Sequence, residues 1–262
     1  MFKKILIVYS EKLTEQHLNV VEKIKQIIFE LSEHCSTIKV TDIQKNSFKN
    51  IDLVITAGGD GTLIRVSHYS EEIPILPINS EPEFSEGALT ILKDKELSLI
   101  KEILKGNYKT IEMPRIQIKR NNVLLDEYAL NEVYIGTEKQ FATSRYIIEF
   151  KDKKEEQRSS GVLVATSGGS SAWYKSAGGK PFSNKNKLAF LVREPYFGDI
   201  YKPSLLRGEI LSNESIFFEA KKHEGGIIAI DSNVIHPFNN GDKVELSLSS
   251  KPLKVLVPSI FN

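Results

Sequence analysis

The sequence predicts an α/β N-terminal domain, a parallel sheet with flanking helices, followed by a β-rich C-terminal domain. Three observations carry that expectation. Short branched apolar runs alternate with helical periodicity over about the first eighty residues, which calls for a parallel sheet with helices on its faces. Beyond Lys109 the texture changes to β segments separated by polar turns. In the first part, Ile51-Asp52-Leu53-Val54-Ile55 runs into Thr56-Ala57-Gly58-Gly59-Asp60-Gly61-Thr62 and then into a stretch compatible with a helix. The expected division is residues 1–106 and residues 107–262, with a tail strand at 253–257 that can return to the first domain.

Each element has a local reason. Ile5-Leu6-Ile7-Val8-Tyr9 is a continuous apolar run, as a buried parallel strand requires. Over residues 14–31, Leu18, Val21, Ile24, Ile27, Ile28 and Leu31 recur at helical spacing. Thr37-Ile38-Lys39-Val40 and Pro74-Ile75-Leu76-Pro77-Ile78 read as further strands, and residues 96–104 as a short helix ended by Gly106-Asn107. In the second part, residues 111–119, 123–125, 128–135 and 146–151 read as β segments. Residues 151–158 are so highly charged that an exposed turn is expected there, and a helix is expected to begin near Ser170.

Composition bounds the function classes. The chain has 262 residues, 26% of them charged and 40% hydrophobic, and a net charge of +1, which gives no electrostatic pull toward nucleic acid or membrane. One cysteine, Cys35, excludes an internal disulfide framework and fits a reducing compartment. The five histidines show no ligand spacing, and no apolar segment reaches the roughly twenty residues needed to span a bilayer. The N-terminus runs straight into a strand pattern without a signal or transit peptide, so the expected location is the cytoplasm.

Three clusters carry chemistry. Gly58 to Thr62 lies between a strand and a helix start, where glycines let an anion approach and a helix N-terminus offers N–H groups to phosphate. Asp60 is then an acid beside a phosphate site, able to hold a metal or take a proton from an attacking hydroxyl; the alternative is a plain hairpin turn. Asn131 and Glu132 interrupt an apolar strand, so at least one faces the interior or a cleft. A ligand would satisfy it, and an edge strand with one wet face would serve as well. Ser159-Ser160-Gly161 opens a third strand, which leads through Thr166-Ser167-Gly168-Gly169-Ser170-Ser171-Ala172-Trp173 to Ser176-Ala177-Gly178-Gly179. Its small residues admit a flat ligand and Trp173 could wall it. No Gly-x-Gly-x-x-Gly, Walker, Gly-x-Ser-x-Gly or His-Glu-x-x-His motif is present.

In this order the clusters resemble the NAD kinase family, whose pattern is Gly-Gly-Asp-Gly-Thr, then Asn-Glu, then Thr-x-x-Gly-Ser-x-Ala-aromatic with Ser-Ala-Gly-Gly. The resemblance covers the chain from about residue 1 to 245. Three departures resemble the divergent, mitochondrial-type branch: the stretch from Asn79 to Gly87, Ser159-Ser160-Gly161 in place of Asp-Gly, and Ala172-Trp173 in place of Ala-Tyr. Without a transit peptide, a microbial relative of that branch is expected.

The resemblance implies an NAD kinase-like fold and an ATP-dependent transfer of the γ-phosphate to the 2′-hydroxyl of the adenosine ribose of NAD. The N-terminal domain would bind ATP and the C-terminal domain NAD, with the reaction in the cleft. Asp60 would be catalytic, and Gly58, Gly59, Gly61, Thr62 and Arg65 would serve the ATP phosphates. NAD would meet Asp60, Gly61, Asn79, Asn131, Glu132, Ser160, Gly168, Ser171, Ala172, Trp173 and Asp231. Mg²⁺ would arrive with ATP rather than on protein ligands. Arg193 is a further candidate phosphate cation, and Glu81, Glu83 and Glu86 bring negative charge near that pocket. A homo-oligomer, dimer or tetramer, is implied, with neither nucleic acid nor membrane as partner. A lipid or small-molecule kinase sharing the glycine motif, and a dinucleotide-binding sensor without catalysis, are the competing readings.

Overall fold

The computed structural model describes residues 2–12, 14–31, 34–139 and 141–261. Along the chain come β1 (Lys4–Tyr9), α1 (Glu15–Phe29), β2 (His34–Lys39), β3 (Leu53–Gly58), α2 (Asp60–Ser67), β4 (Ile75–Asn79), β5 (Leu92–Lys93), α3 (Leu99–Leu104) and β6 (Tyr108–Met113). Then follow β7 (Ile116–Arg120), β8 (Val123–Leu124), β9 (Glu132–Thr137), β10 (Ser144–Phe150), β11 (Lys153–Ser159), β12 (Gly161–Ala165) and the single-turn α4 (Trp173–Ser176). The chain ends with β13 (Lys187–Arg193), β14 (Arg207–Leu211), β15 (Ser215–Ala220), β16 (Gly226–Ile230), β17 (Val234–Pro237), β18 (Lys243–Leu248) and β19 (Leu253–Pro258). It divides into two compact units, residues 1–113 with 252–262, and residues 114–251.

The first unit is a seven-stranded sheet in the order β2-β1-β3-β4-β19-β6, with β5 beside β4. Every pairing in it is parallel except β19 with β6. β3 is buried along its whole length, as its unbroken apolar run requires. Helix α1 starts at Thr14, whose hydroxyl accepts the His17 N–H at 3.2 Å, and buries Val20, Val21, Ile24 and Ile28. Leu18 and Leu31 share the helical spacing but stay exposed, because the buried stripe is centred on Val20 and Ile24. Ser10, Gly58 and Asn79 lie at the carboxyl ends of β1, β3 and β4, the edge where ligands of parallel sheets gather.

The second unit is a sandwich of two antiparallel six-stranded sheets, β11-β10-β15-β18-β7-β8 and β14-β13-β12-β9-β16-β17. Their inner faces share a core that includes Ile118, Val133, Ile135, Tyr146, Val164, Phe190 and Leu246. Tyr134, Leu163 and Ala229 lie on the opposite face of the second sheet and pack with Trp173.

The structure corrects four readings. Residues 111–119 are not one β segment, because the chain leaves the first unit at Met113 and begins β7 at Ile116. Most of the charged stretch is strand β11 rather than a turn: from Lys153 it pairs with β10, buries Gln157 and Ser159 at alternate positions and turns Lys154 and Glu156 outward. The half-buried Glu155 stays on the inner side, where it accepts the Ser204 and Leu205 N–H groups. Near Ser170 there is a short 3₁₀ turn and then only one α-turn, Trp173–Ser176. Asn131 lies in a bend just before β9, and β9 is central between β12 and β16, which excludes the wet edge strand.

Candidate functional site

In the first unit the glycine turn joins β3 directly to α2 with Gly59 as the N-cap, so no hairpin forms. Thr62 lies over Gly58 so closely that a Cβ at Gly58 would overlap its hydroxyl, and only glycine fits. Gly59 is buried, Gly61 is exposed, and Arg65 is half-buried one turn along α2. Asp60 opens the helix. Its two carboxylate oxygens accept one backbone N–H each, from Ala88 at 3.0 Å and from Leu89 at 2.8 Å. Its own N–H donates to Ser85 Oγ at 3.3 Å.

The loop after β4 is thus folded back onto the turn. Asn79 anchors that loop: its amide donates to the Ser85 carbonyl at 3.1 Å, and its oxygen accepts the Glu81 N–H at 3.0 Å. Asn79 is 1% exposed, and both of these bonds stay within the unit. Glu81 is buried and accepts from the Ser10 hydroxyl, whereas Glu83 and Glu86 are exposed. His17 bonds Ser80 Oγ through Nδ1 at 2.8 Å, and burial lowers its pKa against the opposing pull of Glu81.

In the second unit three distant segments converge. Asp231 sits in the turn between β16 and β17, and both it and Ser232 take the left-handed conformation, at φ of 49° and 56°. Serine therefore follows the backbone path for which glycine is the usual choice. The Asp231 carboxylate accepts three backbone N–H groups, from Leu130 at 2.7 Å, Asn131 at 2.8 Å and Glu132 at 3.0 Å. Thr166 approaches the same segment, its hydroxyl donating to the Leu130 carbonyl at 2.6 Å. Gly169 lies against Asn131, and a Cβ there would collide with the Asn131 carbonyl.

The side chains of Asn131 and Glu132 are left with buried acceptors, Oδ1 and Oε2, that have no partner. Such atoms are costly unless a ligand donates to them. Burial, reinforced by the Asp231 charge, pushes the Glu132 carboxyl up to about 7. Near neutral pH it can thus either donate or accept a hydrogen bond.

Tyr134 shares the Glu132 face of β9 by strand alternation and packs on Trp173 with ring centres 5.3 Å apart. The Arg193 guanidinium covers Trp173 at 5.3 Å, and Tyr134 donates to the Ser160 carbonyl at 2.6 Å. Gly168 is half-buried, while Ser171 and Ala172 are exposed just before Trp173. Sequence reasoning missed Tyr134, whose only signal was its spacing of two from Glu132. It also missed the Ala88 and Leu89 amides, which carry no side-chain signal.

The architecture, an α/β unit followed by a β-sandwich unit, is a fold shared with solved NAD and NADH kinases. An NAD kinase from Archaeoglobus fulgidus, solved in complex with ATP, superposes with a TM-score of 0.73 at 22% identity, over 97% of this chain and 94% of that one. Yeast NADH kinase, solved with NADH, gives a TM-score of 0.77 at 16% identity, over 98% of this chain and 84% of that one. Residues 3–108 match the family described as the ATP-NAD kinase N-terminal domain. A relative from Oryza sativa subsp. japonica described as a probable NADH kinase is 34% identical over 246 residues, 82% of this chain and 75% of that protein. The chain belongs to the NAD kinase family.

Proposed function

We propose that the chain transfers the γ-phosphate of ATP to the 2′-hydroxyl of the adenosine ribose of NAD. The observation that carries this reading is the Gly-Gly-Asp-Gly-Thr turn at the carboxyl end of a buried parallel strand, in a member of the NAD kinase family. Gly58, Gly59, Gly61 and Thr62 form the phosphate turn, and Arg65 is assigned to the phosphates with them. Asp60 is the catalytic residue. The Ala88 and Leu89 N–H groups fix its carboxylate, and each oxygen retains a lone pair for the substrate hydroxyl. Taking that proton contributes ~10²–10⁴ in rate.

Mg²⁺ belongs to this reading as the counter-ion of ATP, where it neutralises the phosphates. No group of three or more His, Cys, Asp or Glu able to hold a metal occurs among the described residues. Asn131 and Glu132 take hydrogen-bond donors from the ribose or adenine of NAD, as their orphaned buried acceptors require. Trp173 walls the same pocket with Ser160, Gly168, Ser171 and Ala172 beside it. A homo-oligomer and a cytoplasmic location complete the proposal; no helix among the described residues is long and apolar enough to cross a membrane.

The test is an NADP assay with purified protein, ATP, Mg²⁺ and NAD, run beside Asp60→Asn and beside an NADH arm. Formation of NADP by the native chain and its loss in the variant is the expected result. Faster turnover of NADH would move the acceptor assignment to the reduced dinucleotide. Binding of NAD with no product from either form would favour the sensor reading.

A further inference from the structure

The backbone around Asn131 is bonded with unusual completeness. The N–H groups of Leu130, Asn131 and Glu132 all donate to the Asp231 carboxylate. The Leu130 carbonyl accepts from the Thr166 hydroxyl at 2.6 Å, and the Asn131 carbonyl from the Thr166 N–H at 2.9 Å. The Glu132 carbonyl accepts the Asp231 N–H at 3.0 Å. Each of the six backbone polar groups is therefore tied to Asp231 or Thr166, residues about 100 and about 35 positions away.

Asp231 is 5% exposed and Thr166 is fully buried. The side chains of the same segment show the opposite condition, since Asn131 Oδ1 and Glu132 Oε2 are buried without a partner. A saturated backbone carrying unsatisfied side-chain acceptors is a preorganised arrangement. The ordering cost is met in folding rather than at binding.

We infer that Asp231 is a positioning residue rather than a ligand of the dinucleotide: with Thr166 it holds the 130–132 backbone so that Asn131 and Glu132 present their acceptors to NAD. This inference rests on the reading of Asn131 and Glu132 as NAD-binding residues and changes the role of Asp231 within it. The geometry gives the reason. Three N–H groups already converge on the Asp231 oxygens, two of them on Oδ1, so moving this carboxylate to a ligand would strand buried donors. Thr166 closes the clamp from the carbonyl side, and its hydroxyl also accepts the Gly169 N–H at 3.1 Å, which joins the third motif to the second.

The experiment is steady-state kinetics with NAD and ATP varied separately, with thermal unfolding as the check on folding. Asp231→Asn replaces one acceptor by a donor facing backbone N–H groups. It is expected to raise the KM for NAD at least tenfold, with the KM for ATP changed less than twofold and kcat less than about threefold. On an Asn131→Ala, Glu132→Ala background the same substitution is expected to lose most of its effect, because a residue that acts through those side chains has nothing left to position.

An undiminished effect on that background would show that Asp231 touches the dinucleotide directly and would overturn the inference. So would a folded Asp231→Asn with an unchanged KM for NAD. If Asp231→Asn does not fold, Thr166→Val against Thr166→Ser carries the test: only the valine, which lacks the hydroxyl, should raise the KM for NAD. Equal behaviour of those two would also overturn it. If Asn131→Ala leaves NAD binding unaltered, it is the dinucleotide reading of the segment that fails.

Discussion

Asp60 in the first unit and Asp231 in the second both hold their carboxylates against backbone N–H groups, and the difference between them underlies the chemical role proposed for the first and the positioning role inferred for the second. Asp60 takes two such bonds, one on each oxygen, and remains half-buried. Asp231 takes three and is 5% exposed. A carboxylate offers about four lone-pair sites, so two bonds orient Asp60 and leave room for a substrate hydroxyl. Three bonds in a buried turn fit Asp231 to the positioning role inferred for it.

The sharpest way to break this comparison is at Asp60. Asp60→Asn keeps the side-chain size but removes the proton acceptor and sets an amide donor against the Ala88 or Leu89 N–H, and NADP formation is expected to fall by at least ~10²–10⁴-fold. The KM values for ATP and NAD should move little, because the loss falls on the transition state. Steady-state rates decide it, and retention of more than about a tenth of the activity would remove Asp60 from the chemistry.

The next effect is one of pH. Glu132 is raised from 4.5 to about 7, chiefly by burial and then by the Asp231 charge, so the folded chain holds a proton that the unfolded chain releases. The stability from this group is complete below pH 4.5 and is lost as pH rises through about 7, by roughly 3 kcal/mol in all. Glu132→Gln should abolish that slope. Urea midpoints from pH 5 to pH 8 would show native and variant curves converging at low pH and separating in favour of the variant above 7. Parallel curves would mean that Glu132 titrates normally.

Gly169→Ala tests the close approach of the third motif to Asn131. The added Cβ meets a backbone carbonyl that cannot turn aside, so a loss of about 1–3 kcal/mol in stability is expected, with weaker NAD binding. Thermal unfolding and NAD titration measure the two effects. The smallest change is a gain: Ser232, at φ 56°, is strained for a residue with a Cβ. Ser232→Gly should stabilise the chain by about 0.5–1 kcal/mol, once the greater freedom of glycine in the unfolded state is set against the relieved strain. A drop in Tm would show that the Ser232 side chain has a structural role of its own.

Local features were legible in the sequence. The run 51–55 followed by Gly58 to Thr62 specified a buried strand, a turn and a helix start, because each depends on neighbours in the chain. The charged stretch misled, since its composition resembled an exposed turn while alternation at Gln157 and Ser159 marked a half-buried strand. Asn131 and Glu132 stood out as polar residues in an apolar run, but the orphaned acceptors could be seen only once β9 was placed at the centre of its sheet.

Residue order was enough for the α/β-then-β arrangement, the glycine turn with Asp60 at its helix start, and the family. These rest on hydrophobic periodicity and on motifs that are contiguous in the chain. Long-range packing set the return of β19 between β4 and β6, the bonds of the Asn79 and Asp231 side chains to backbone groups of their own units, and the Ala88 and Leu89 N–H groups on Asp60. Backbone N–H and carbonyl groups are the same in every residue apart from proline. Which of them meets a given carboxylate is settled by the packing of distant segments, not by any residue pattern.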